Sequence, residues 1–313
     1  MLSDNAWIDL LDPTAEEISA ACGIDLHPMA LERMTQRPVH EKEPRPVLRV
    51  DAGYVFGVLL SPQTDLDPEL GIVFDEIEVI LTHQRMVTVR KTNNLGTAYD
   101  SDAVRSAAAA AVDGVGMALW HLIDDVAERY VEVVDALDSH IDALEDRVEI
   151  GMDFSRANDT SVRKQISLLR RGLLRLRRGL TPLRDATQAI TINHIELPTE
   201  GRPLFPHDVE VRFYEVHDKL LRATEGLDLA RDLLAGVRDY HQGQIGFYQA
   251  EVNKRLTVVA SLLLVPTFIV GLYGQNLKGS PEFGLSWGYW FSWMLIIVTT
   301  IGQLLWFRHK RWI

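Results

Sequence analysis

Hydrophobic positions change their period along the chain. In the N-terminal part, short β-branched runs at 47–50, 54–60, 72–81 and 86–89 are broken by Asp51-Ala52-Gly53 and His83-Gln84-Arg85. They predict strands, arranged as two hairpins or a small mixed sheet. Stretches 15–22 and 27–37 predict short helices packed on that sheet, an α+β layer arrangement. From Ala103 the period is helical, with Leu119, Ile123, Val126, Tyr130, Val133, Leu137, Ile141, Leu144 and Val148 at steps of three and four.

The polar side of this helix carries Asp124, Glu128, Asp135, Asp138, Asp142 and Glu145, whereas the next, over 161–188, carries Arg163, Arg170, Arg171, Arg175, Arg177 and Arg178. Opposite signs predict an antiparallel hairpin stitched by charge. A solvated hairpin whose surface pairs are individually worth little is the plainer reading. The sharper one has the acidic face gathering cations near a pore entrance. After a Pro-rich break at 197–206, a helical pattern starts at Asp208 and runs through Arg255 into an apolar segment without a stop signal. At 1.5 Å per residue such a helix is about 90 Å long and needs partners along its length.

Residues 256–273 and 288–307 are 18 and 20 residues without a charge, reaching about 27 and 30 Å, enough to cross a bilayer's hydrocarbon core. Two buried helices of a soluble core would share that composition. Trp287, Tyr289, Trp290, Trp293, Trp306 and Trp312, however, cluster at the ends of the second segment as interfacial aromatics do. The N-terminal stretch shows no basic region followed by an apolar run, so no signal peptide is expected. Lys254 and Arg255 flank the first segment and Arg308, Lys310 and Arg311 the second, against Lys278 and Glu282 in the connection. By the positive-inside rule both termini are cytoplasmic and the connection faces outward. The predicted plan is a cytoplasmic α/β domain with its helical hairpin (1–206), a stalk helix (207–255) and a membrane part (256–313). The membrane part divides into a first span at 256–273, an outer loop at 274–287, a second span at 288–307 and a basic tail at 308–313.

Composition sharpens this. The chain has 32 Lys+Arg against 44 Asp+Glu, a net charge of -12, which argues against a nucleic-acid partner and suits a cation. Its single cysteine, Cys22, excludes an intrachain disulfide. No GxSxG, HExxH, P-loop or dinucleotide fingerprint supports an enzyme. His121, His140 and His217 stand alone on helices and read as surface or core residues.

Along the first span, Asn253, Thr257, Ala260, Leu264, Thr267 and Gly271 recur at spacings of four and three and share one face. This face is small and polar where the others carry Leu, Val, Ile and Phe. It suits either a close-packed seam between helices or the lining of a pore. Several copies around an axis would satisfy both.

The span ends in Pro266-Thr267-Phe268-Ile269-Val270-Gly271-Leu272-Tyr273-Gly274-Gln275-Asn276. This resembles the CorA family of divalent metal ion transporters, whose signature is Tyr-Gly-Met-Asn at the outer end of the first of two C-terminal membrane helices. The order of parts agrees, down to Pro281-Glu282 in the loop and Lys310 to Ile313 at the end. The resemblance implies a homopentameric funnel in a prokaryotic inner membrane, with the first helix lining the pore and lipid around the second. It makes Tyr273, Gly274, Gln275 and Asn276 the selectivity filter, Thr267 and Asn253 an inner polar ring and mouth, and Glu215 and Asp218 ligands of regulatory metal between subunits. The cargo and regulator is a divalent cation, with no other cofactor.

Mg2+ holds its waters tightly, so neutral amide and carbonyl oxygens at Asn276 and Gly274 would meet it through its hydration shell. Leu264 and Leu256 are candidates for a dewetting constriction. Two departures touch the choice of ion: Gln275 replaces the signature Met, as in a branch linked to proton-coupled zinc uptake (the ZntB branch), and Lys278 puts a positive charge beside Glu282. Zinc, cobalt and nickel prefer softer ligands, and the stripe offers no His or Cys. A non-conducting scaffold or metal sensor is the rival class.

Overall fold

The computed structural model describes residues 6–40, 42–51, 53–63, 71–110, 114–150, 156–192, 195, 197, 203–275 and 287–312. The chain forms two compact units, Met1–Arg238 and Asp239–Ile313. The first is built on a mixed five-stranded sheet of β1 (Trp7–Leu11), β2 (Val47–Asp51), β3 (Tyr54–Pro62), β4 (Phe74–Leu81) and β5 (Met86–Arg90), in the order β1-β5-β4-β3-β2. β1 runs parallel to β5 and the other pairs are antiparallel.

β1 is absent from the sequence prediction. Its five residues carry little periodicity of their own, and its partner lies some eighty positions downstream, with Trp7 opposite Met86. What holds it is specific: the Trp7 indole donates to Thr88 Oγ1 at 2.9 Å, and Arg90 forks onto the Asp9 carboxylate, with Nη2 at 2.7 Å from Oδ2. At the other edge Gly57 lets β2 approach, because a Cβ there would lie 2.7 Å from Leu48 Cδ2.

Helices cover both faces of the sheet. α1 (Ala15–Cys22) begins with a capping box between Thr14 and Glu17 and stops at Gly23, whose φ of 63° suits a residue without a Cβ. α2 (Pro28–Thr35) starts with proline at its first position. Together they bury Ile18, Cys22, Ala30 and Met34 against Tyr54, Phe56, Val58 and Ile80. The opposite face, with Val55, Leu59, Ile77 and Val79, packs on a helical layer. That layer follows α3 (Asp102–Ala110) and comprises α4 (Val115–Ile150), α5 (Arg156–Thr191) and the first half of α6 (His207–Gly274).

α4 and α5 do pack on each other, with no ion pair between them among the described residues. Apolar residues such as Leu137, Ile141 and Leu144 join Leu169, Leu173 and Leu176 in one core. Two carboxylates of the acidic side of α4 are instead paired from α6, where Lys219 Nζ lies 2.7 Å from Asp124 and 2.8 Å from Glu128. The basic side of α5 turns to other elements: Arg175 pairs with Glu43, and Arg177 with Asp228 at 3.1 Å. Among the described residues, Arg147 of α4 donates to Gln165 and Ser161 of α5. Opposite signs on consecutive helices do not set the rotation of each helix; the apolar stripes do.

The first half of α6, the long helix expected from the sequence, packs into this unit's core. Val209, Phe213, Val216, Leu220, Ala223, Leu227, Ala230 and Leu234 are all buried, in alternating steps of four and three, the heptad spacing of a helix seated along one seam. The second unit contains the rest of α6 and α7 (Gly288–His309). Both helices are long and apolar enough to cross a membrane, and little of either apolar window is buried within the chain. Helices this little buried are not core helices of the chain itself, and apolar surface of that extent marks an interaction site.

Candidate functional site

Within the second unit α6 presents three distinct sides. One meets α7: Val258 and Ile269 are buried, as is Phe307 of α7, and Ser261, Leu262 and Val265 are half-buried. Gln303 of α7 reaches the Ser261 carbonyl at 3.5 Å. A second side carries exposed Val259, Leu263 and Val270, and exposed Leu256 lies at the border between it and the next. The third is the small and polar stripe of Asn253, Thr257, Ala260, Leu264, Thr267 and Gly271, every member of it exposed in the single chain. The stripe is therefore not the seam with α7.

Its chemistry is set by helical geometry. Thr257 Oγ1 donates to the Asn253 carbonyl at 2.8 Å and Thr267 Oγ1 to the Leu263 carbonyl at 2.7 Å. Each hydroxyl has thus spent its proton on its own helix, and what remains is oxygen lone pairs. A stripe of acceptors without charge can bond the waters of a cation. Leu264, 68% exposed, interrupts it with an apolar side chain midway.

α6 ends at Gly274, and the Gln275 amide closes a last turn on the Leu272 carbonyl at 3.4 Å. A Cβ built on Gly271 or Gly274 meets nothing within 4 Å, so packing inside this chain does not require either glycine. Tyr273 is half-buried and Gln275 exposed. Asn276, Lys278, Pro281 and Glu282 lie outside the described residues.

Glu215 and Asp218 sit exposed on α6, flanking buried Val216. Among the described residues no group of three or more His, Cys, Asp or Glu is placed to hold a metal ion. His121 rests edge-on to Trp120, and burial lowers its pKa; His140 contacts the Ala136 carbonyl at 2.6 Å.

Sequence reasoning missed a buried polar cluster in the first unit. Asp75, Glu76 and Glu78 of β4 are all buried. Asp75 accepts from Asn93 at 2.7 Å and Gln63 at 3.2 Å, Glu76 from Arg33 at 2.6 Å, and Glu78 from Lys91 at 2.5 Å. Burial raises all three carboxyls, against the pull of their partners, and takes Glu78 to about 7. The signal available was three carboxylates within a central strand, a position that exacts a partner for each.

A family described as "CorA-like Mg2+ transporter protein" matches residues 3–310 of the chain. The cobalt/magnesium transport protein CorA of Thermotoga maritima is 25% identical over 316 residues, covering 99% of this chain and 84% of that protein. The zinc transport protein ZntB of Yersinia enterocolitica is 31% identical over 191 residues, 58% of this chain and 55% of that protein. Among solved structures, the CorA magnesium transporter of Methanocaldococcus jannaschii superposes with a TM-score of 0.76 at 18% identity, over 98% of this chain and 91% of that one. The full-length CmaX protein gives 0.68 at 20% identity, over 98% and 88%. These two likenesses establish the fold.

Proposed function

The chain belongs to the CorA-like Mg2+ transporter family of divalent cation transporters, and on that premise we propose that it is a homopentameric channel for hydrated Mg2+. Five copies of α6 surround the axis with the stripe from Asn253 to Gly271 inward, and α7 stands outside against lipid. The observation that carries this reading is the exposed run of proton-spent hydroxyls at Thr257 and Thr267, on a side of α6 that α7 does not cover.

The chemistry follows from the ion. Mg2+ gives up water reluctantly, so acceptors that bond its first shell select it without stripping it. Asn276 and the Gly274 carbonyl form the outer ring of such acceptors, with Tyr273 and Gln275 shaping it. Neutral oxygens bind weakly enough to let the ion go. Leu264, and Leu256 toward the inner side, provide the constriction that dewets when the pore is shut. The first unit and both termini lie in the cytoplasm of a prokaryote, and Glu215 and Asp218 bind regulatory divalent metal between neighbouring subunits. Loss of that metal leaves like charges to repel, which loosens the closed arrangement.

Proton-coupled zinc transport is the second reading, favoured by Gln275 in place of the signature methionine and by the similarity to a zinc transport protein. Flux into liposomes carrying the purified protein separates the two. Saturable Mg2+ uptake that ignores a pH gradient and fails in Asn276→Ala supports the magnesium channel. Zinc uptake driven by protons supports the second reading, and no flux of either ion supports a scaffold or sensor.

A further inference from the structure

In the first unit α5 closes over the segment leading into β2 and leaves a cavity of about 270 Å3 whose walls include Glu43, Arg45, Arg175, Arg178 and Gly179. Three arginines and one glutamate line a single small space. Arg175 is its inner wall: only 8% exposed, bonded to Glu43, with both terminal nitrogens against the His40 ring at 3.3 and 3.4 Å and its guanidinium 5.6 Å from the Phe74 centroid. This side chain is held in place before any ligand arrives. Its Nε is nevertheless buried without a hydrogen-bond partner.

A second unpaired donor lies behind the lining residue Gly179. The Tyr130 hydroxyl is fully buried, has no partner among the described residues, and occupies the space a side chain at position 179 would take. Buried donors without acceptors are costly and uncommon in native proteins. Arg45 and Arg178, by contrast, are exposed and have no hydrogen-bond or ion-pair partner among the described residues. A fixed inner arginine and two free outer ones around a small cavity suit an acceptor-only ligand with more than one negative charge.

We propose that this cavity binds a phosphate group, gripped by Arg175 from within and by Arg45 and Arg178 at the mouth. Glu43 neutralises one guanidinium, leaving two positive charges for a dianion. Free phosphate and a small phosphomonoester share this chemistry, and the cavity volume admits either.

The test is isothermal titration calorimetry of the full chain in detergent with inorganic phosphate, with glycerol 3-phosphate, and with chloride at matched ionic strength. Saturable heat from inorganic phosphate alone assigns the site to the free anion, and from both ligands to phosphomonoesters as well. Arg45→Gln and Arg178→Gln should each weaken binding about tenfold, the loss expected for one charge-assisted contact, with circular dichroism unchanged because both side chains are exposed. Heats that chloride reproduces, or affinity that survives the double variant, overturn the proposal.

Discussion

The Lys254 ammonium of α6 donates to the main-chain carbonyl of Arg311, beyond the end of α7, at 2.8 Å. Arg311 adopts a φ of 57°, in the left-handed region, and the Trp312 amide turns back to the Phe307 carbonyl at 2.9 Å, stacking Trp312 on Phe307 with centroids 5.8 Å apart. The tail is thereby folded against the helix pair and fastened to α6. Lys254→Met keeps the apolar stem and deletes the donor. It should lower thermal stability in detergent by about 1 kcal/mol, the net worth of one hydrogen bond. Arg311→Gly, which relieves the left-handed backbone, should raise it by a smaller amount; thermal unfolding of both variants checks the pair.

Thr267→Val keeps the shape of the side chain and removes its oxygen. If hydrated cations bond that oxygen, each pore loses a ring of acceptors, and Mg2+ flux should fall about fivefold or more, one hydrogen bond per ion at about 1 kcal/mol. The assembly should stay intact, because the hydroxyl bonds only its own helix in the chain. Liposome flux beside size-exclusion chromatography reads both quantities.

Glu78 gives the first unit a dependence on pH. Burial raises its folded pKa to about 7 from 4.5, so between those values the folded state holds a proton that the unfolded state has released. Stability linked to this group is full at low pH and declines as pH rises toward and through about 7. The groups facing it are Lys91, Glu76 and Arg33. Glu78→Gln should flatten that part of the profile by up to about 3 kcal/mol, measured as chemical denaturation midpoints across pH 5 to 8.

Gly179→Ala forces a methyl group into the Tyr130 hydroxyl, and the ring carbon behind it lies at 3.3 Å. Overpacking of this kind should cost about 1–3 kcal/mol. Because the clash is with the hydroxyl, adding Tyr130→Phe should return much of the loss. Equal destabilisation of the single and double variants would place the strain elsewhere.

What a residue's near neighbours decide was legible in the sequence. The uncharged segments at 256–273 and 288–307, the strands around 54–60 and 72–81, and the four-and-three spacing from Asn253 to Gly271 follow from local period and hydropathy, which any window of the chain carries. Family membership followed from Tyr273-Gly274-Gln275-Asn276 and the order of parts. Tertiary structure decided what depends on distant partners. β1 exists because Asp9 and Trp7 find Arg90 and Thr88 far along the chain. Asp75, Glu76 and Glu78 can be buried in β4 because Asn93, Arg33 and Lys91 converge on them. The charged faces of α4 and α5 look complementary in sequence, yet the apolar stripes fixed each helix's rotation and sent Asp124 to Lys219 and Arg175 to Glu43. Likewise only packing could show that α7 covers the Val258 and Ile269 side of α6 and leaves the Thr257 and Thr267 side open. Periodicity separates the sides of a helix, and long-range contacts choose what each side meets.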